Sequence, residues 1–316
     1  MDSTEKVVCE KISIVVPCFN EEEVLPLFYE KSNEAFKLLE NVEIEYIFVN
    51  DGSKDKTLKV IKDLSEKDER VHYVSFSRNF GKEAAMYAGM AESNGDYVAI
   101  MDADLQDPPE LLADMYKSIK EEGFDCVATR RVDRKGEPPI RSAFAKMFYA
   151  IMRIIAKVDM MPGARDYRLM TRTMTDAILA MSEYNRFSKG IFGWVGFDTK
   201  WIPFENRKRA AGKTKWSFFS LFRYSIEGIV AFSTAPLVWS SILGLIFCFL
   251  AFVAVVFLFI RAIVFGDPVS GWPSLACMIT FFAGLQLFCS GIIGMYISKA
   301  YLEVKGRPLY IVKEKK

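Results

Sequence analysis

Two long stretches without a charged residue limit most strongly what this chain can fold into. They run from Gly228 to Ile260 and from Pro268 to Ser298. A helix needs about 20 apolar residues to cross the hydrocarbon core of a bilayer, and each stretch is longer than that. A helix buried in a soluble core is the alternative, but such helices are rarely so long. We therefore predict a transmembrane hairpin over residues 231–300, behind a soluble domain over residues 1–215.

The basic residues around these stretches predict the orientation of the hairpin. The formal net charge is only +1, yet Lys and Arg cluster just before the first stretch and just after the second. The connection between the stretches holds only Arg261 and Asp267 as charged residues. Because cytoplasmic segments carry the excess of Lys and Arg, we expect a multi-pass plasma-membrane protein with its soluble domain, its tail over residues 301–316 and both termini in the cytoplasm. The polar start of the chain, without an apolar signal-peptide run, agrees with this orientation. The clustered residues are Arg207, Lys208, Arg209, Lys213, Lys215 and Arg223 upstream, and Lys299, Lys305, Arg307, Lys313, Lys315 and Lys316 downstream.

The cysteines and the histidine narrow the kinds of site to expect. The six cysteines include no CxxC pair, and the single histidine, His72, leads into a predicted strand. We therefore expect neither a zinc site nor a disulfide framework, and one histidine cannot build a histidine metal site. We also expect no nucleic-acid partner.

The soluble domain alternates predicted strands and helices. Short apolar runs followed by segments of helical spacing occur four times in succession, and a fifth strand follows. This alternation predicts an α/β fold with a mostly parallel sheet and helices on both faces. The carboxyl ends of parallel strands meet at one edge of such a sheet, where ligands bind. The predicted strands are Lys11–Val16, Ile44–Asn50, Val71–Phe76, Tyr97–Met101 and Asp125–Thr129.

Two carboxylates one residue apart end the fourth predicted strand. Asp102 and Asp104 follow Tyr97–Met101 and precede Pro108 and Pro109, which indicate the start of a helix. Mg²⁺ and Mn²⁺ prefer oxygen ligands, commonly one or two carboxylates completed by water and substrate phosphate. An acidic turn that caps the helix is the alternative, and it would be favoured for an isolated Asp-Ala-Asp. The matching strand ends before and after this one favour a metal site.

Two other strand ends carry basic residues. The loop Ser77–Lys82 is basic, contains a glycine and leads into a predicted helix, so Arg78 and Lys82 are candidates to face a phosphate. An ordinary connecting loop is an equally good explanation. Arg130 and Arg131 end the fifth strand, and a guanidinium can pair with phosphate through two hydrogen bonds. Solvation at the surface is the alternative for Arg131.

Two further segments suggest contact with a membrane surface. Ile140–Val158 combines apolar residues at helical spacing with four basic residues, so it predicts either an interfacial helix or a helix packed on the sheet. Trp216–Ile226 is aromatic and predicts an interfacial helix over about residues 216–230, leading into the first span. Glycines in the spans leave a homo-oligomer open. These glycines are Gly244, Gly284, Gly291 and Gly294.

Five short motifs, taken in their order, carry a family resemblance. They are VVPCFNEEE, VNDGSKDKT, RNFGKEAA, DADLQDPPE and RAAGKTKWS. As an ordered set they closely resemble the glycosyltransferases of family 2 that charge polyprenyl phosphate with a sugar, which include bactoprenol glucosyltransferases and dolichyl-phosphate mannose synthases. The resemblance extends from about Ile12 to the C-terminus. It implies a GT-A fold, a nucleotide sugar donor, a polyprenyl phosphate acceptor in the lipid bilayer, and Mg²⁺ or Mn²⁺ as the cofactor.

The resemblance also implies which residues bind the donor. Asp104 corresponds to the residue that binds the metal directly, and Asp102 to one that contacts the ribose or the water shell of the metal. Asp51 corresponds to an acid that hydrogen-bonds the nucleotide base, although Asn50 replaces the first acid of the commoner DDGS motif. Phe19 stands where the family more often has a tyrosine. The implied nucleotide-sugar site is Pro17, Phe19, Glu21, Asp51, Asp102, Ala103, Gln106, Arg209 and Lys215.

An acceptor site is implied in the same way. Arg130 and Arg141 correspond to arginines that hold the lipid phosphate. Asp166, within Gly163–Leu169, corresponds to a catalytic candidate, whereas the residues alone also allow a salt-bridged turn. Arg186–Phe197, with aromatic residues between glycines, resembles the wall of the acceptor and sugar pocket. The implied catalytic residues are Asp166, Asp104 and Arg130.

Together these features predict an inverting, metal-dependent transfer of one sugar, with UDP-glucose as the expected donor, to polyprenyl phosphate at the cytoplasmic membrane face. The product would feed a cell-envelope glycan. The QxxRW motif of processive family 2 synthases is absent, so repeated elongation is not expected. The alternative is a catalytically silent membrane scaffold or regulatory subunit, but both the Asp-Ala-Asp and the basic loop are intact. A lipid-glycan flippase is a third hypothesis, and two spans offer it too little membrane-embedded polar surface.

Overall fold

The computed structural model describes residues 9–39, 41–132, 161–205, 226, 229–265 and 271–316. The chain divides into two compact units. The first is formed by residues 1–225 together with residues 307–316, and the second by residues 226–306. The last ten residues of the chain therefore belong to the unit that contains the sheet.

A mixed sheet organises the described part of the first unit. Its strands, in chain order, are β1 (Glu10–Cys18), β2 (Val42–Asn50), β3 (Val71–Phe76), β4 (Tyr97–Ile100), β5 (Cys126–Arg131), β6 (Ala164–Thr171), β7 (Thr199–Phe204) and β8 (Val312–Lys315). Their spatial order is β7-β5-β6-β4-β1-β2-β3-β8. The strands β1 to β4 run parallel, as the alternating pattern predicts. β6 lies antiparallel between β4 and β5, and β8 lies antiparallel along β3.

Helices cover both faces of this sheet. They are α1 (Leu25–Phe36), α2 (Thr57–Lys67), α3 (Lys82–Glu92), α4 (Leu111–Glu122), α5 (Arg172–Ala180) and α6 (Ser188–Trp194). Alternate side chains of β2 enter different cores, because successive residues of a strand point to opposite faces. Phe48 packs in the core with Phe28 of α1 and Leu112 of α4. Val49 packs on the other face with Ala85 of α3. The fold is GT-A, a mostly parallel sheet between two layers of helices.

A close approach between α3 and the sheet sets the position of that helix. Four of its six buried residues are alanine or glycine, and a Cβ on Gly89 would lie only 2.2 Å from Cγ1 of Val15. The helix therefore lies directly on β1 and β2. Its first residue, Lys82, follows the loop at the carboxyl end of β3, so it starts at the edge where the parallel strands end.

Two helix starts differ from the predictions. The sequence predicts a helix that starts at Glu21, with three consecutive acids in its first turn that suit the helix dipole. This prediction is wrong, because α1 begins at Leu25 and no acid lies in its first turn. α4 begins at Leu111 rather than at Pro108, because the two prolines belong to the turn before the helix. Both shifts lengthen the loops at the carboxyl edge of the sheet.

The C-terminal tail contributes a strand that the sequence did not predict. Val312 to Lys315 form β8, and the ring of Tyr310 stacks on Phe76 of β3 with centroids 4.9 Å apart. The carbonyl of Ile311 accepts a hydrogen bond from the N–H of Ser77 at 3.0 Å. The tail therefore packs against the beginning of the basic loop that follows β3.

The second unit contains two long apolar helices, α7 (Ala235–Phe265) and α8 (Trp272–Val304). With 31 and 33 residues, they are about 46 Å and 50 Å long at the helical rise of 1.5 Å. Within them, Ala235–Ala254 and Met278–Val304 are long and apolar enough to cross a membrane. Phe247 packs against Phe281 and Phe282, so the two helices contact each other.

Candidate active site

Two strands of opposite direction bring acidic residues to the carboxyl edge of the sheet. Asp102 follows the end of β4, whereas Asp166 lies near the start of β6. Ile100 pairs with Arg168 in the antiparallel ladder, so the same register continued by two residues sets Asp102 opposite Asp166. Because β6 runs antiparallel to β4, its first residues lie at the same edge of the sheet as the carboxyl ends of the parallel strands.

Lys82 bridges these two carboxylates. Its Nζ lies 2.6 Å from Oδ1 of Asp102 and 2.5 Å from Oδ2 of Asp166. The side chains of Lys82, Asp102 and Asp166 are 41%, 23% and 18% exposed, so the cluster is open to solvent on one side. The sequence identified each of the three residues as a candidate, but nothing in it indicated that they form one cluster.

Lys82 and Asp166 stabilise each other's charged form. Burial favours the neutral carboxyl of Asp166, but Lys82 and Lys189 outweigh that effect and hold the pKa of Asp166 well below its ordinary value. Burial likewise disfavours the ammonium of Lys82, yet Asp102 and Asp166 raise the pKa of Lys82 well above its ordinary value. Asp166 is therefore ionised at neutral pH and is a weak base.

The loop between β4 and α4 holds the other acid of the Asp-Ala-Asp motif. Asp104 is 9% exposed, and its Oδ1 accepts a hydrogen bond from the N–H of Gln106 at 3.1 Å. Leu105 between them has a φ of 55°, which costs a residue other than glycine about 1–3 kcal/mol. Asp107 anchors the same loop, since it accepts two hydrogen bonds from the guanidinium of Arg165 in β6, at 2.9 Å and 3.3 Å. No local signal in the sequence indicates the Asp107–Arg165 ion pair, because its partners are far apart in the chain.

Asp51 holds the basic loop in place. Its buried carboxylate accepts hydrogen bonds from the N–H groups of Phe80 at 2.6 Å and Gly81 at 3.0 Å. Burial raises the pKa of Asp51, although these two N–H groups act in the opposite direction. Asp51 therefore shapes the loop that ends at Lys82, and a contact with the nucleotide base stays a prediction.

Glu83 fixes the backbone on the other side of Lys82. Its carboxylate accepts hydrogen bonds from the N–H of Ser188, at 3.0 Å to Oε2, and from the hydroxyl of the same residue. Burial raises the pKa of Glu83 against the effect of these donors. Asp51 thus anchors the backbone before Lys82, and Glu83 ties the residue after it to α6, while the Lys82 side chain itself is partly exposed.

The loops after β1 and β2 are joined by hydrogen bonds. The N–H of Glu21 donates to Oγ1 of Thr57 at 2.8 Å, and the N–H of Asp51 donates to the carbonyl of Cys18 at 2.9 Å. Asp55 accepts a hydrogen bond from the N–H of Thr57, the first residue of α2, at 3.0 Å. The residues of these loops that are predicted to bind the nucleotide sugar therefore lie at one edge of the sheet. They are Pro17, Phe19, Glu21, Asp51, Asp102, Ala103 and Gln106.

Arg130 ends β5 beside the start of β6, where it pairs with Ala164. Its Nη1 lies 3.8 Å from Sδ of Met161, and its buried Nε has no hydrogen-bond partner among the residues that the structure describes. A buried N–H without a partner is costly, about 1–3 kcal/mol, and such groups are often explained by a ligand. This arrangement favours Arg130 as an anion-binding residue.

A cavity of about 210 Å³ lies beside β6, next to the segment predicted to form the acceptor and sugar pocket. The buried guanidinium of Arg168 stacks 3.4 Å from the ring centroid of Phe192 in its wall. Arg168 is two residues after Asp166 and so lies on the same face of β6. A larger cavity of about 560 Å³ lies at the opposite edge of the sheet, where the strands begin and His72 is found. The smaller cavity is lined by Met161, Ala164, Arg168, Lys189, Phe192, Gly193, Phe197, Thr199 and Trp201.

Some predicted features lie outside the described residues. Three predicted site residues, Arg141, Arg209 and Lys215, are among them. The predicted amphipathic helix Ile140–Val158 lies there too, as does the interfacial helix Trp216–Ile226 apart from its last residue.

The carboxylates at this edge of the sheet suffice for a divalent cation only when substrate phosphate supplies further ligands. In the part of the chain that the structure describes, no group of three or more His, Cys, Asp or Glu residues could hold a metal. The carboxylates of Asp102 and Asp104 fit Mg²⁺ or Mn²⁺, which accept one or two protein carboxylates and take their remaining ligands from water and phosphate. These two residues would hold the ion once a diphosphate is present.

Comparisons with known proteins identify the family of this chain. Residues 13–186, more than half of the chain, match the model of glycosyl transferase family 2. The chain is 42% identical to the putative glycosyltransferase CsbB of Bacillus subtilis (strain 168), over 96% of this chain and 91% of that protein. It is 40% identical to the prophage bactoprenol glucosyl transferase homolog of Escherichia coli (strain K12), over 97% of this chain and 99% of that protein.

Among solved structures, the chain is similar to glucosyl-3-phosphoglycerate synthase from Mycobacterium tuberculosis, at 17% identity and a TM-score of 0.47, over 70% of this chain and 78% of that one. The matched residues begin within β1, continue past the end of β6, and include Asp102, Asp104 and Asp166. The chain therefore belongs to glycosyltransferase family 2.

Proposed function

We propose that this protein transfers one sugar from a nucleotide diphosphate sugar, with UDP-glucose as the expected donor, to polyprenyl phosphate at the cytoplasmic face of the membrane. The close relatives named bactoprenol glucosyl transferases support this acceptor and sugar class. The helices α7 and α8, long and apolar enough to cross a membrane, support an anchor where a water-insoluble acceptor is found. The meeting of Asp102 and Asp166 at the carboxyl edge of a GT-A sheet is the observation that carries the proposal.

Asp104 and Asp102 bind the donor side of the reaction in this proposal. Mg²⁺ or Mn²⁺, when bound, neutralises charge that develops on the departing nucleoside diphosphate. Asp104 would hold the ion directly, with a carboxylate that the Gln106 N–H and the strained turn at Leu105 keep in place. Asp102 would contact the ribose, or the ion through its water shell.

The acceptor phosphate is the nucleophile. Its second pKa is near 6, so it is largely ionised at neutral pH and needs no strong general base. The depressed pKa of Asp166 supports a positioning role for this carboxylate rather than the role of the base. Arg130 would hold the acceptor phosphate close to the donor, which overcomes the repulsion between two anions. Attack from the face opposite the departing diphosphate inverts the anomeric centre.

The substitution Asp104→Asn tests this function. We expect a loss of transfer of about a hundredfold or more, because the charge that holds the cation is removed while the side-chain volume is kept. Membranes that contain the variant are incubated with radiolabelled UDP-glucose and polyprenyl phosphate, and the labelled lipid is measured. Asp114→Asn, the same change at an exposed position of α4, is the matched control and should leave transfer unchanged.

The same assay tests the alternative of a catalytically silent scaffold. A scaffold would produce no labelled lipid with any donor in a panel of nucleotide sugars, and chelation of divalent cations would change nothing. Full transfer by Asp104→Asn would instead remove the metal assignment and leave the glycosyltransferase activity in place.

A further inference from the structure

The ammonium of Lys82 lies between two carboxylates, Asp102 and Asp166, in a position where a cation neutralises their charge. Asp102, Asp104 and Asp166 contribute three acidic groups to this edge of the sheet, and Lys82 contacts the first and the last of them. An ammonium group is a compact cation with three rotatable donors, so it can satisfy two carboxylates at once. Asp102 is also one of the two carboxylates proposed to serve the divalent cation and the donor. The same carboxylate is thus a partner of Lys82 and a proposed partner of the divalent cation and the donor.

The backbone around Lys82 is held rigidly, whereas its side chain is not. Residues before it donate to Asp51, and Glu83 after it accepts from Ser188. The four-carbon side chain of Lys82 is 41% exposed and can turn about its own bonds without moving α3. A change of partner by the ammonium therefore needs no change of fold.

Resting on the function proposed above, we propose that Lys82 is a positioning residue that keeps a divalent cation from Asp102 until a nucleotide diphosphate arrives. The two cations compete for one carboxylate, and without substrate phosphate the protein offers the metal few other ligands. The donor brings its own phosphate oxygens, which favour the metal at Asp102 and offer the ammonium a new anionic partner. Lys82 then keeps Asp166 and turns from Asp102 toward a phosphoryl oxygen. Metal and donor thereby bind together.

A permanent structural ion pair is the competing explanation, and the two make different predictions for metal binding. If the ion pair is only structural, loss of Lys82 changes the stability of the protein but does not raise its affinity for the metal. In the proposed case, loss of Lys82 removes a competitor and a repelling charge from the same carboxylate. The affinity for the metal alone, without any sugar transfer, separates these cases.

The test is a titration of Mn²⁺ into the purified full-length protein in detergent, with free Mn²⁺ measured by electron paramagnetic resonance. Without nucleotide, we expect Lys82→Met to bind Mn²⁺ about tenfold more tightly than the wild type, because a positive charge next to the carboxylates is removed. Addition of UDP should raise the Mn²⁺ affinity of the wild type by a larger factor than that of Lys82→Met, since in the variant nothing has to be displaced. Lys82→Arg keeps the charge and should stay within about threefold of the wild type.

The control Lys54→Met removes a positive charge from the loop after β2, at the same edge of the sheet. The side chain of Lys54 is exposed, and its backbone N–H donates to Oδ1 of Asn20 at 2.9 Å. This variant should bind Mn²⁺ without nucleotide as the wild type does. An equal gain in affinity in Lys54→Met and Lys82→Met would reduce the effect to general electrostatics and overturn the proposal.

An unchanged Mn²⁺ affinity in folded Lys82→Met, as judged by circular dichroism, also overturns the proposal. Should that variant not fold, the wild type decides, because equal Mn²⁺ affinity with and without UDP contradicts a nucleotide-dependent site. The titration measures no transfer. A protein that follows these Mn²⁺ expectations but labels no lipid would therefore refute the proposed function and leave the role of Lys82 standing.

Discussion

Asp166 owes its ionised state to a lysine 84 positions away in the chain, since Nζ of Lys82 donates to its Oδ2. The sequence named Asp166 only through a family resemblance and left a salt-bridged turn as the alternative. In the fold it is both an ion-paired residue and a member of the candidate site. The two explanations therefore describe one arrangement, because the ion pair is what keeps this carboxylate charged and oriented.

This ion pair has a predictable pH dependence. The pKa of Asp166 is depressed and that of Lys82 is raised, so the pair stabilises the fold fully between their ordinary values. The contribution of Asp166 is lost as pH falls below about 4 toward its folded pKa. We expect Asp166→Asn to lower the melting temperature at neutral pH, by a margin that shrinks as the pH falls below about 4. Thermal unfolding of both proteins from pH 3 to pH 8 measures it, and a difference that grows on acidification would contradict the assignment.

Gly52 permits the contact between the loop after β2 and the basic loop. It has a φ of 63°, and a Cβ there would lie 2.3 Å from the carbonyl carbon of Arg78. We expect Gly52→Ala to destabilise the protein by more than the about 1–3 kcal/mol that the backbone conformation alone costs. Gly123→Ala is the matched control, because Gly123 also has a positive φ, 78°, but no atom within 4 Å of the added Cβ. Equal losses in chemical denaturation would show that the contact does not matter.

At the level of strands and helices, the parallel part of the sheet follows from local patterns. Short apolar runs alternate with amphipathic segments, and right-handed crossovers then leave few arrangements for β1 to β4. β6 and β8 could not be predicted in this way. β6 pairs antiparallel with two strands that precede it in the chain, and β8 pairs with β3 more than two hundred residues upstream. Such pairings depend on the packing of the whole sheet rather than on any local signal.

The tail strand β8 allows a direct test of this long-range pairing. The half-buried ring of Tyr310 stacks on Phe76, directly before the loop that leads to Lys82. We expect Tyr310→Ala to cost about 2 kcal/mol of stability and to reduce transfer, because the loop loses a packing partner. Tyr310→Phe keeps the ring and should behave as the wild type. Chemical denaturation and the labelled-lipid assay measure the two effects, and Tyr310→Ala with wild-type values in both would remove the tail from the site.

Across the whole chain, the last residues and the first 225 form one unit, although an apolar unit separates them in sequence. Both ends of that apolar unit continue into the unit that contains the sheet. We therefore expect the chain to cross a membrane twice, through α7 and α8, and to return to the sheet. The positive-inside rule predicts the sheet on the cytoplasmic side.

This topology can be measured in cells. We expect a reporter that works only in the cytoplasm to be active at the C-terminus and inactive when inserted into the connection between α7 and α8. The physical reason is that basic residues are retained on the cytoplasmic side, while the short connection carries almost no charge. Activity at both positions would refute a hairpin that spans the membrane.

The sequence by itself determined the two long apolar helices, the parallel core of the sheet, and the place of Asp102 and Asp104 after the end of a parallel strand, because each depends on residues close together in the chain. Hydrophobic length, strand alternation and a pair of carboxylates after a strand are local signals. Only the tertiary structure decided that β6 runs against its neighbours, that Lys82 joins Asp102 to Asp166, and that the tail completes the sheet. These contacts join distant parts of the chain, and the energy that selects them comes from packing and charge pairing in the folded protein.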